Sequence, residues 1–328
     1  NHGYLAVDFF FILSGFVIGY AYDDRWRDGH MTIGKFFKRR LIRLHPMVIV
    51  GAVLGAVSFC LQGSKQWDGT AVPLLMVVLA LCLNLFMLPV YPGAGPEVRG
   101  NGEMFPLNGP NWSLFFEYVG NILYAIFVRR LSTRWLAVLT GLCGVLVVAI
   151  TTLNMSGFYH MGVGWTMADY GLWGGFVRLM FSFSAGMLMS RVIKPKAIKH
   201  AFWICTLILL AFLAVPHVGT DAYPWLNGVY DSFCIIVVFP VVLYIGASAK
   251  KSSATKTSDL LGRISYPLYA IHYPMMYLFY AWLWSNSLSF SQTWHVAVAI
   301  FFGSIIIAYL FVKYYDEPVR RWLTNKFK

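Results

Sequence analysis

Four stretches of an otherwise apolar sequence carry side chains that could do chemistry. One begins at Asn111, a good helix N-cap, and places Ser113, Glu117 and Asn121 four residues apart, with Tyr124 beside them. On a helix this spacing gives one polar stripe. A glutamate within hydrocarbon is a candidate functional residue. The alternative is an interhelical hydrogen bond with a purely structural role.

A second stretch is a cluster of arginines. Arg39 and Arg43 are four residues apart and Arg40 and Arg43 are three apart, so a helix would present all three on one broad face. Guanidiniums offer paired donors to phosphates and stay charged. Coenzyme A is one ligand that such a cluster could bind, because it carries a pyrophosphate and a 3′-phosphate. The spacing leaves open the alternative that these arginines anchor the chain to anionic headgroups.

The third stretch contains Asp8, and a comparable single residue is Arg178; both are charged residues inside apolar blocks. A carboxylate at Asp8, near one end of a predicted helix, is costly unless it has a partner. It could orient a catalytic group, or it could cap the helix and reach water. Arg178, with Ser182 four residues on, is predicted to face the helix bundle and to need a carboxylate. Glu117 and Asp169 are the candidates.

The fourth stretch places Ser265, Tyr269 and His272 on one helical face. Pro274 cannot donate to the carbonyl four residues back, so we expect a kink next to His272. A catalytic and a packing role for His272 both remain open. The other histidines show no metal-ligand spacing, and the five cysteines, all in apolar blocks, are expected to be buried free thiols. We therefore predict no metal site.

Composition indicates which elements hold these residues. The chain of 328 residues is 58% hydrophobic and 12% charged, about half the charged fraction of a soluble domain. Its apolar blocks have the length that a membrane-crossing helix needs. The net charge of +12 falls in short clusters between these blocks, which fits the positive-inside rule and argues against nucleic acid as a partner. The predicted fold class is an all-α, polytopic transmembrane helix bundle, with one domain over 1–328.

Nine crossings are predicted, and one further apolar run, 72–90, is expected to be re-entrant or peripheral. The basic residues cluster at Arg25 to Arg43, Arg129 to Arg134, Arg191 to Lys199, Lys250 to Arg263 and Arg320 to Lys328. All five clusters can share the cytoplasmic side only if 72–90 does not cross, and 91–111 is then external. Ser14 and Gly15 give a small-residue face for close helix packing. The predicted crossings are 5–22, 46–62, 112–128, 135–153, 170–190, 199–216, 226–248, 264–285 and 294–315.

Taken together, these stretches resemble the acyltransferase 3 family of membrane acyltransferases, which includes bacterial O-acetylases of surface polysaccharides. The matching blocks occur in family order and cover almost the whole chain. They are Gly3 to Phe16, Phe37 to Pro46, Trp112 to Glu117, Leu261 to Pro274 and Asp316 to Arg320.

The resemblance implies an acyl-CoA donor, usually acetyl-CoA, no bound cofactor, and a carbohydrate or lipid-linked saccharide acceptor at a bacterial inner membrane. It also implies a catalytic histidine on an earlier helix. Because the chain starts without a methionine, we expect that helix upstream of Asn1. Alternatives are a transporter or flippase, and a non-catalytic homologue.

The resemblance gives each candidate residue a role. Arg39, Arg40 and Arg43 would hold the donor phosphates, and Asp8, Glu117 and His272 would support the catalytic base. The remaining candidate pocket residues are Trp112, Ser113, Asn121, Arg178 and Tyr269.

Overall fold

The computed structural model describes residues 1–250 and 255–327, and this part of the chain is helical and contains no β-strand. Two short π-helical segments, Cys234–Val238 and Val312–Asp316, each join one α-helix directly to the next. The α-helices are α1 (Ala6–Arg27), α2 (Ile33–Leu61), α3 (Leu74–Leu85), α4 (Asn111–Ile126), α5 (Thr133–Thr152), α6 (Gly171–Val192), α7 (Ala201–Ala214), α8 (Trp225–Phe233), α9 (Phe239–Ala247), α10 (Thr255–Ser285), α11 (Phe290–Phe311) and α12 (Glu317–Lys326).

Within the described ranges, six helical segments are long and apolar enough to cross a membrane. The predicted fold class is therefore confirmed, and the protein is a multi-pass membrane protein. The number of nine crossings stays a prediction, because α4 and α7 have only 16 and 14 residues, fewer than the roughly 20 of a typical span. The six segments are Gly3–Arg27, Ile33–Leu61, Thr133–Thr152, Gly171–Val192, Trp225–Ala247 and Phe290–Lys326.

The apolar run 72–90 forms only the short helix α3. Its 12 residues give a length of about 18 Å at 1.5 Å per residue. The hydrocarbon core is about 30 Å thick. This length favours the prediction that 72–90 does not cross. Residues 251–254 of the basic connection before α10 lie outside the described residues.

Prolines are accommodated inside two long helices. The helix α2 is continuous through Pro46 and begins at Ile33, well before the start predicted for this span. In α10, Pro274 leaves the carbonyl of Ala270 without its usual helical donor. The amide Nδ2 of Asn108 donates to that carbonyl over 2.8 Å, so the buried oxygen stays satisfied.

The described chain groups into two compact units. The first unit comprises 1–36, 116–164 and 169–256, and the second comprises 37–115, 165–168 and 257–328. The prediction of one domain over 1–328 stays a prediction.

In the first unit, α1 packs closely along α6. A Cβ built on Gly15 would overlap the backbone carbonyl of Phe183, and one built on Gly186 would overlap that of Ile12. Only glycine allows the two backbones to approach this closely. The small-residue face predicted around Gly15 is therefore confirmed. Apolar side chains from α1, α5, α6, α9 and the π-helical segment Cys234–Val238 form the core of this unit.

The second unit contains two apolar clusters. One joins α2, α10 and α11 around Met47, Ala270 and Ala308. The other joins α2 and α3 around Phe59 and Val77. These clusters hold α2 in position, and α2 carries Arg39, Arg40 and Arg43.

The cysteines are all free, but their burial differs from the prediction. Cys143 and Cys234 are buried and Cys205 is half-buried, whereas Cys60 and Cys82 are exposed at the protein surface. Both exposed residues lie on apolar helices, where the lipid-facing side also takes apolar residues. Location in an apolar block therefore did not predict burial inside the protein.

Candidate functional site

Asp8 on α1 forms an ion pair with Arg178 on α6. The guanidinium Nε donates to Oδ1 over 3.1 Å and Nη2 donates to Oδ2 over 2.7 Å. Asp8 is 0% and Arg178 is 1% exposed. The interpretation of Asp8 as a cap that reaches water is therefore wrong. A buried carboxylate needs this kind of two-point partner to offset its lost hydration.

The prediction that Glu117 or Asp169 would supply the carboxylate for Arg178 is corrected by this pair. Asp169 is exposed and has a left-handed backbone conformation just before α6, so it does not enter the core of the unit. Arg178 also donates to the carbonyls of Val163 over 2.6 Å and Tyr4 over 2.9 Å. These bonds tie α6 to two other backbone segments.

Glu117 on α4 is held by hydrogen bonds within the first unit. The hydroxyl of Ser14 donates to Oε1 over 2.5 Å, and Nδ2 of Asn121 lies 3.3 Å from the same oxygen. Asn121 also donates to the backbone carbonyl of Glu117 over 2.6 Å. Glu117 is buried. Glu117 and Asn121 of the predicted polar stripe therefore lie in contact, whereas Tyr124 donates to Asp23 over 2.8 Å in a different network.

A second buried network in the first unit was missed by the sequence reasoning. Tyr4 donates its hydroxyl to both carboxylate oxygens of Asp231, and the backbone N–H of Met161 donates to the same group over 2.7 Å. Nε2 of His2 lies 2.9 Å from Oδ1 of Asn227 and 3.6 Å from Asp231. Asp231 is a lone carboxylate inside an apolar block, the signal that singled out Asp8, so the sequence did contain the clue.

In the second unit, the start of α4 meets α10. The hydroxyls of Ser113 and Tyr269 lie 2.6 Å apart, which brings together two residues that the sequence placed in one pocket. Nδ1 of His272 lies 2.9 Å from the carbonyl of Tyr269 and 3.1 Å from that of Leu268. A neutral ring that donates from Nδ1 keeps the lone pair on Nε2, the form needed for a base. Trp112 is half-buried in the first turn of α4.

The arginine cluster is divided by the structure. Arg39 and Arg43 are exposed and line an open groove of about 580 Å³. Arg40 is only 7% exposed and does not line this groove. Of the three predicted arginines, Arg39 and Arg43 therefore share this groove, and a donor-binding role for Arg40 stays a prediction.

The other wall of the groove is α12, which contributes Arg320 and Arg321. Arg320 pairs with Asp316 over 3.1 Å, and Arg321 pairs with Glu317 over 3.2 Å. No carboxylate partner of Arg39 or Arg43 is found among the described residues. Four guanidiniums and one carboxylate, that of Glu317, line the groove. This charge balance suits a ligand with several phosphates.

Sequence reasoning assigned α12 no part in this groove. The signal was present in the resemblance, since the closing block Asp316 to Arg320 was among the matched segments. Nothing in the sequence indicated that α12 lies next to α2. In the structure the two helices are neighbours, and Nζ of Lys38 donates to the backbone carbonyl of Phe327.

A buried arginine in the 91–111 segment, Arg99, was also given no role by the sequence reasoning. Arg99 is 1% exposed, and its guanidinium carbon lies 3.6 Å from the ring centre of Tyr277 and 5.1 Å from that of Trp67. Tyr277 donates to Oε2 of Glu103 over 2.5 Å. Burial lowers the pKa of Arg99 and raises the pKa of Glu103. The one available clue was that Arg99 is the single basic residue of this segment.

Comparison with known proteins identifies the family. The family described as an acyltransferase domain matches residues 1–313. The chain is 37% identical over 160 residues to "Protein 2 in picA locus" of Rhizobium radiobacter, covering 46% of this chain and 75% of that protein. It is 24% identical over 332 residues to "Acyltransferase MdmB" of Streptomyces mycarofaciens, covering 94% of this chain and 76% of that protein. No solved structure matches. The chain therefore belongs to the acyltransferase 3 family, and the protein is a membrane acyltransferase.

Proposed function

We propose that the enzyme transfers an acyl group, in the first instance acetyl, from acyl-CoA to a hydroxyl of a carbohydrate-type acceptor at the inner cell membrane. The observation that carries the donor assignment is the groove between α2 and α12. The acceptor class rests on the resemblance to bacterial O-acetylases.

The groove fits the phosphorylated part of coenzyme A. Arg39 and Arg43 present donors without a carboxylate partner in the described part of the chain, so they can bind phosphate without first breaking an ion pair. Arg320 and Arg321 already hold carboxylates, so they add hydrogen-bond donors to the opposite wall but little net charge. Coenzyme A carries a pyrophosphate and a 3′-phosphate, which need more than one guanidinium.

The groove also argues against simple anchoring. Charges that anchor a chain to headgroups need only lie near the membrane surface. Here guanidiniums from α2 and α12 face one cavity of about 580 Å³. A cavity of that size is within the usual range for small-molecule sites.

His272, Glu117 and Asp8 supply different kinds of support to the reaction. His272 can accept a proton at Nε2 when Nδ1 donates to the α10 backbone, so it is the candidate proton acceptor among the described residues. Glu117 is oriented through Ser14 and Asn121. Asp8 is a positioning residue, because its carboxylate is fully engaged with Arg178.

The test compares Arg43→Lys with Arg134→Lys in the purified full-length protein. Lysine keeps the charge but loses the paired donor geometry of arginine. A lost charge-assisted hydrogen bond costs roughly 1.5–3 kcal/mol, about tenfold or more in affinity. We expect the Arg43→Lys protein to insert into the membrane normally and to bind acetyl-CoA at least about tenfold more weakly, because it loses one such hydrogen bond. Arg134 is exposed and lies outside the groove, so Arg134→Lys should bind like the wild type.

If acetyl-CoA binding is unchanged in both Arg39→Lys and Arg43→Lys, these arginines do not bind the donor and instead anchor the chain to lipid headgroups. Transfer of radiolabelled acetyl from acetyl-CoA to a saccharide fraction separates a working enzyme from a non-catalytic homologue. Binding without transfer by the full-length protein would support the homologue.

A further inference from the structure

A second cavity, in the first unit, has no part in the proposed donor site. It lies at the ends of α1 and α6 and along the connection between α4 and α5. Its volume is about 1060 Å³, and its lining includes Arg25, Arg27, Arg129, Arg130 and Arg191 together with Asp23 and Asp24. We call this cavity the basic pocket.

Both carboxylates of the basic pocket are already occupied. Nε of Arg191 donates to Oδ2 of Asp23 over 2.8 Å, and Tyr124 donates to Oδ1 of the same carboxylate. Nη2 of Arg27 donates to Asp24 over 2.7 Å. Asp23 and Asp24 therefore neutralise Arg191 and Arg27 and leave the other arginines of the pocket unbalanced.

Three guanidiniums remain without a carboxylate among the residues that the structure describes: those of Arg25, Arg129 and Arg130. Arg129 is held in place by two contacts. Its Nε donates to the carbonyl of Ala125 over 2.6 Å, and its guanidinium carbon lies 4.0 Å from the ring centre of Trp26. Such contacts hold the side chain in position, whereas a freely moving surface arginine would sample many rotamers.

Helix ends weaken this positive field without cancelling it. Both α1 and α6 present their carbonyl ends here, and each end carries about half a negative charge. Two ends therefore contribute about one negative charge, against three unbalanced guanidiniums. The cavity keeps a net attraction for anions.

We propose that the basic pocket binds a phosphate-bearing anion, supplied either by a phospholipid headgroup or by a soluble phosphorylated compound. Guanidiniums bind phosphate through paired donors. Trp26 is an amphipathic side chain of the kind found at membrane interfaces, and it lies in the wall of the pocket. This site is separate in sequence from Arg39, Arg43, Arg320 and Arg321, and it does not rest on the proposed function.

The test uses Arg130→Gln, with Arg134→Gln as the matched control. Both residues are exposed, and each variant removes one positive charge: Arg130 lies in the connection between α4 and α5, and Arg134 lies four residues on, in the first turn of α5. Only Arg130 lines the basic pocket. Two probes are measured on the purified full chain: phosphatidylglycerol retained from nanodiscs by native mass spectrometry, and inorganic pyrophosphate by calorimetric titration. Phosphatidylcholine nanodiscs give the neutral-lipid background.

We expect Arg130→Gln to weaken binding of at least one probe about tenfold, the cost of one charge-assisted hydrogen bond, and Arg134→Gln to leave it unchanged. Retention of phosphatidylglycerol would assign a lipid headgroup, and pyrophosphate binding alone would assign a soluble ligand. Equal weakening in the two variants would show diffuse surface charge and overturn the proposal. So would failure of both probes to bind above background.

The donor groove is excluded as the source of the signal by repeating the titrations in an Arg43→Gln background. The effect of Arg130→Gln must persist there. If Arg43→Gln by itself abolishes binding of the probe, the anion occupies the donor groove and the basic pocket is not a site.

Discussion

Asp8 and Arg178, which lie 170 positions apart in the sequence, form a two-point ion pair that is buried in the first unit. Replacing one member of such a pair leaves the other charge without a partner, which typically costs about 3–5 kcal/mol. We therefore expect Asp8→Asn and Arg178→Gln each to lower the free energy of unfolding by about that amount. Unfolding by SDS in mixed micelles measures it.

The matched control for the buried pair is Asp24→Asn, because Asp24 pairs with Arg27 at the surface, where both side chains are more than 70% exposed. Exposed pairs contribute little to stability, so this variant should unfold like the wild type. The double variant Asp8→Leu/Arg178→Met should be more stable than either single variant, since apolar replacement of a buried pair is often tolerated. Single variants as stable as the wild type would show that the pair carries no net stabilisation.

The close approach of α1 and α6 predicts opposite effects for two glycine-to-alanine changes. In Gly186→Ala the new methyl group overlaps the carbonyl of Ile12, and overpacking typically costs about 1–3 kcal/mol. Gly141 lies in α5 with open space around its Cβ position, so Gly141→Ala should stabilise by up to about 1 kcal/mol through helix propensity. Melting temperatures of both variants and the wild type, measured in the same detergent, show whether each change stabilises or destabilises the protein. A Gly186→Ala protein that melts at or above the wild-type temperature would contradict the packing.

Two carboxylates outside the membrane-crossing segments predict opposite dependences of stability on pH. Burial raises the pKa of Glu103, so its contribution is fully present below the ordinary carboxyl range and is lost as the pH rises through the folded-state pKa. Hydrogen bonds from Thr70 lower the pKa of Asp68. Its contribution is present above the ordinary range and is lost as the pH falls.

Melting curves at about pH 4 and pH 8 test Glu103→Gln, and melting curves at about pH 3 and pH 6 test Asp68→Asn, because a lowered pKa places the titration of Asp68 below the ordinary carboxyl range. Relative to the wild type, Glu103→Gln should gain stability at the higher pH, and it keeps a carbonyl oxygen for the hydroxyl of Tyr277. Asp68→Asn should lose stability at the higher pH by comparison with its behaviour at the lower pH. Parallel curves for the wild type and both variants would show that neither carboxylate titrates differently on folding.

The sequence by itself determined the class of protein and the family, whereas some helix bounds differ from the prediction, as for α2, which begins at Ile33. Apolar blocks long enough to cross hydrocarbon must satisfy their backbone hydrogen bonds internally, so a helical bundle follows from composition and block length. Local spacing was also reliable within one helix. Asn121 meets Glu117, because residues four apart are neighbours on a helix, and Arg39 shares a groove with Arg43 for the same reason.

Only the tertiary structure decided which polar groups from different helices meet. Asp8 pairs with Arg178, and α12 forms the second wall of the groove beside α2. The burial of Arg40 illustrates the physical reason. On an ideal helix, Arg40 and Arg43 are about 60° apart around the axis, so spacing alone leaves both on one face. Which part of that face is covered depends on the neighbouring helices, whose positions are fixed by packing contacts between residues far apart in the sequence.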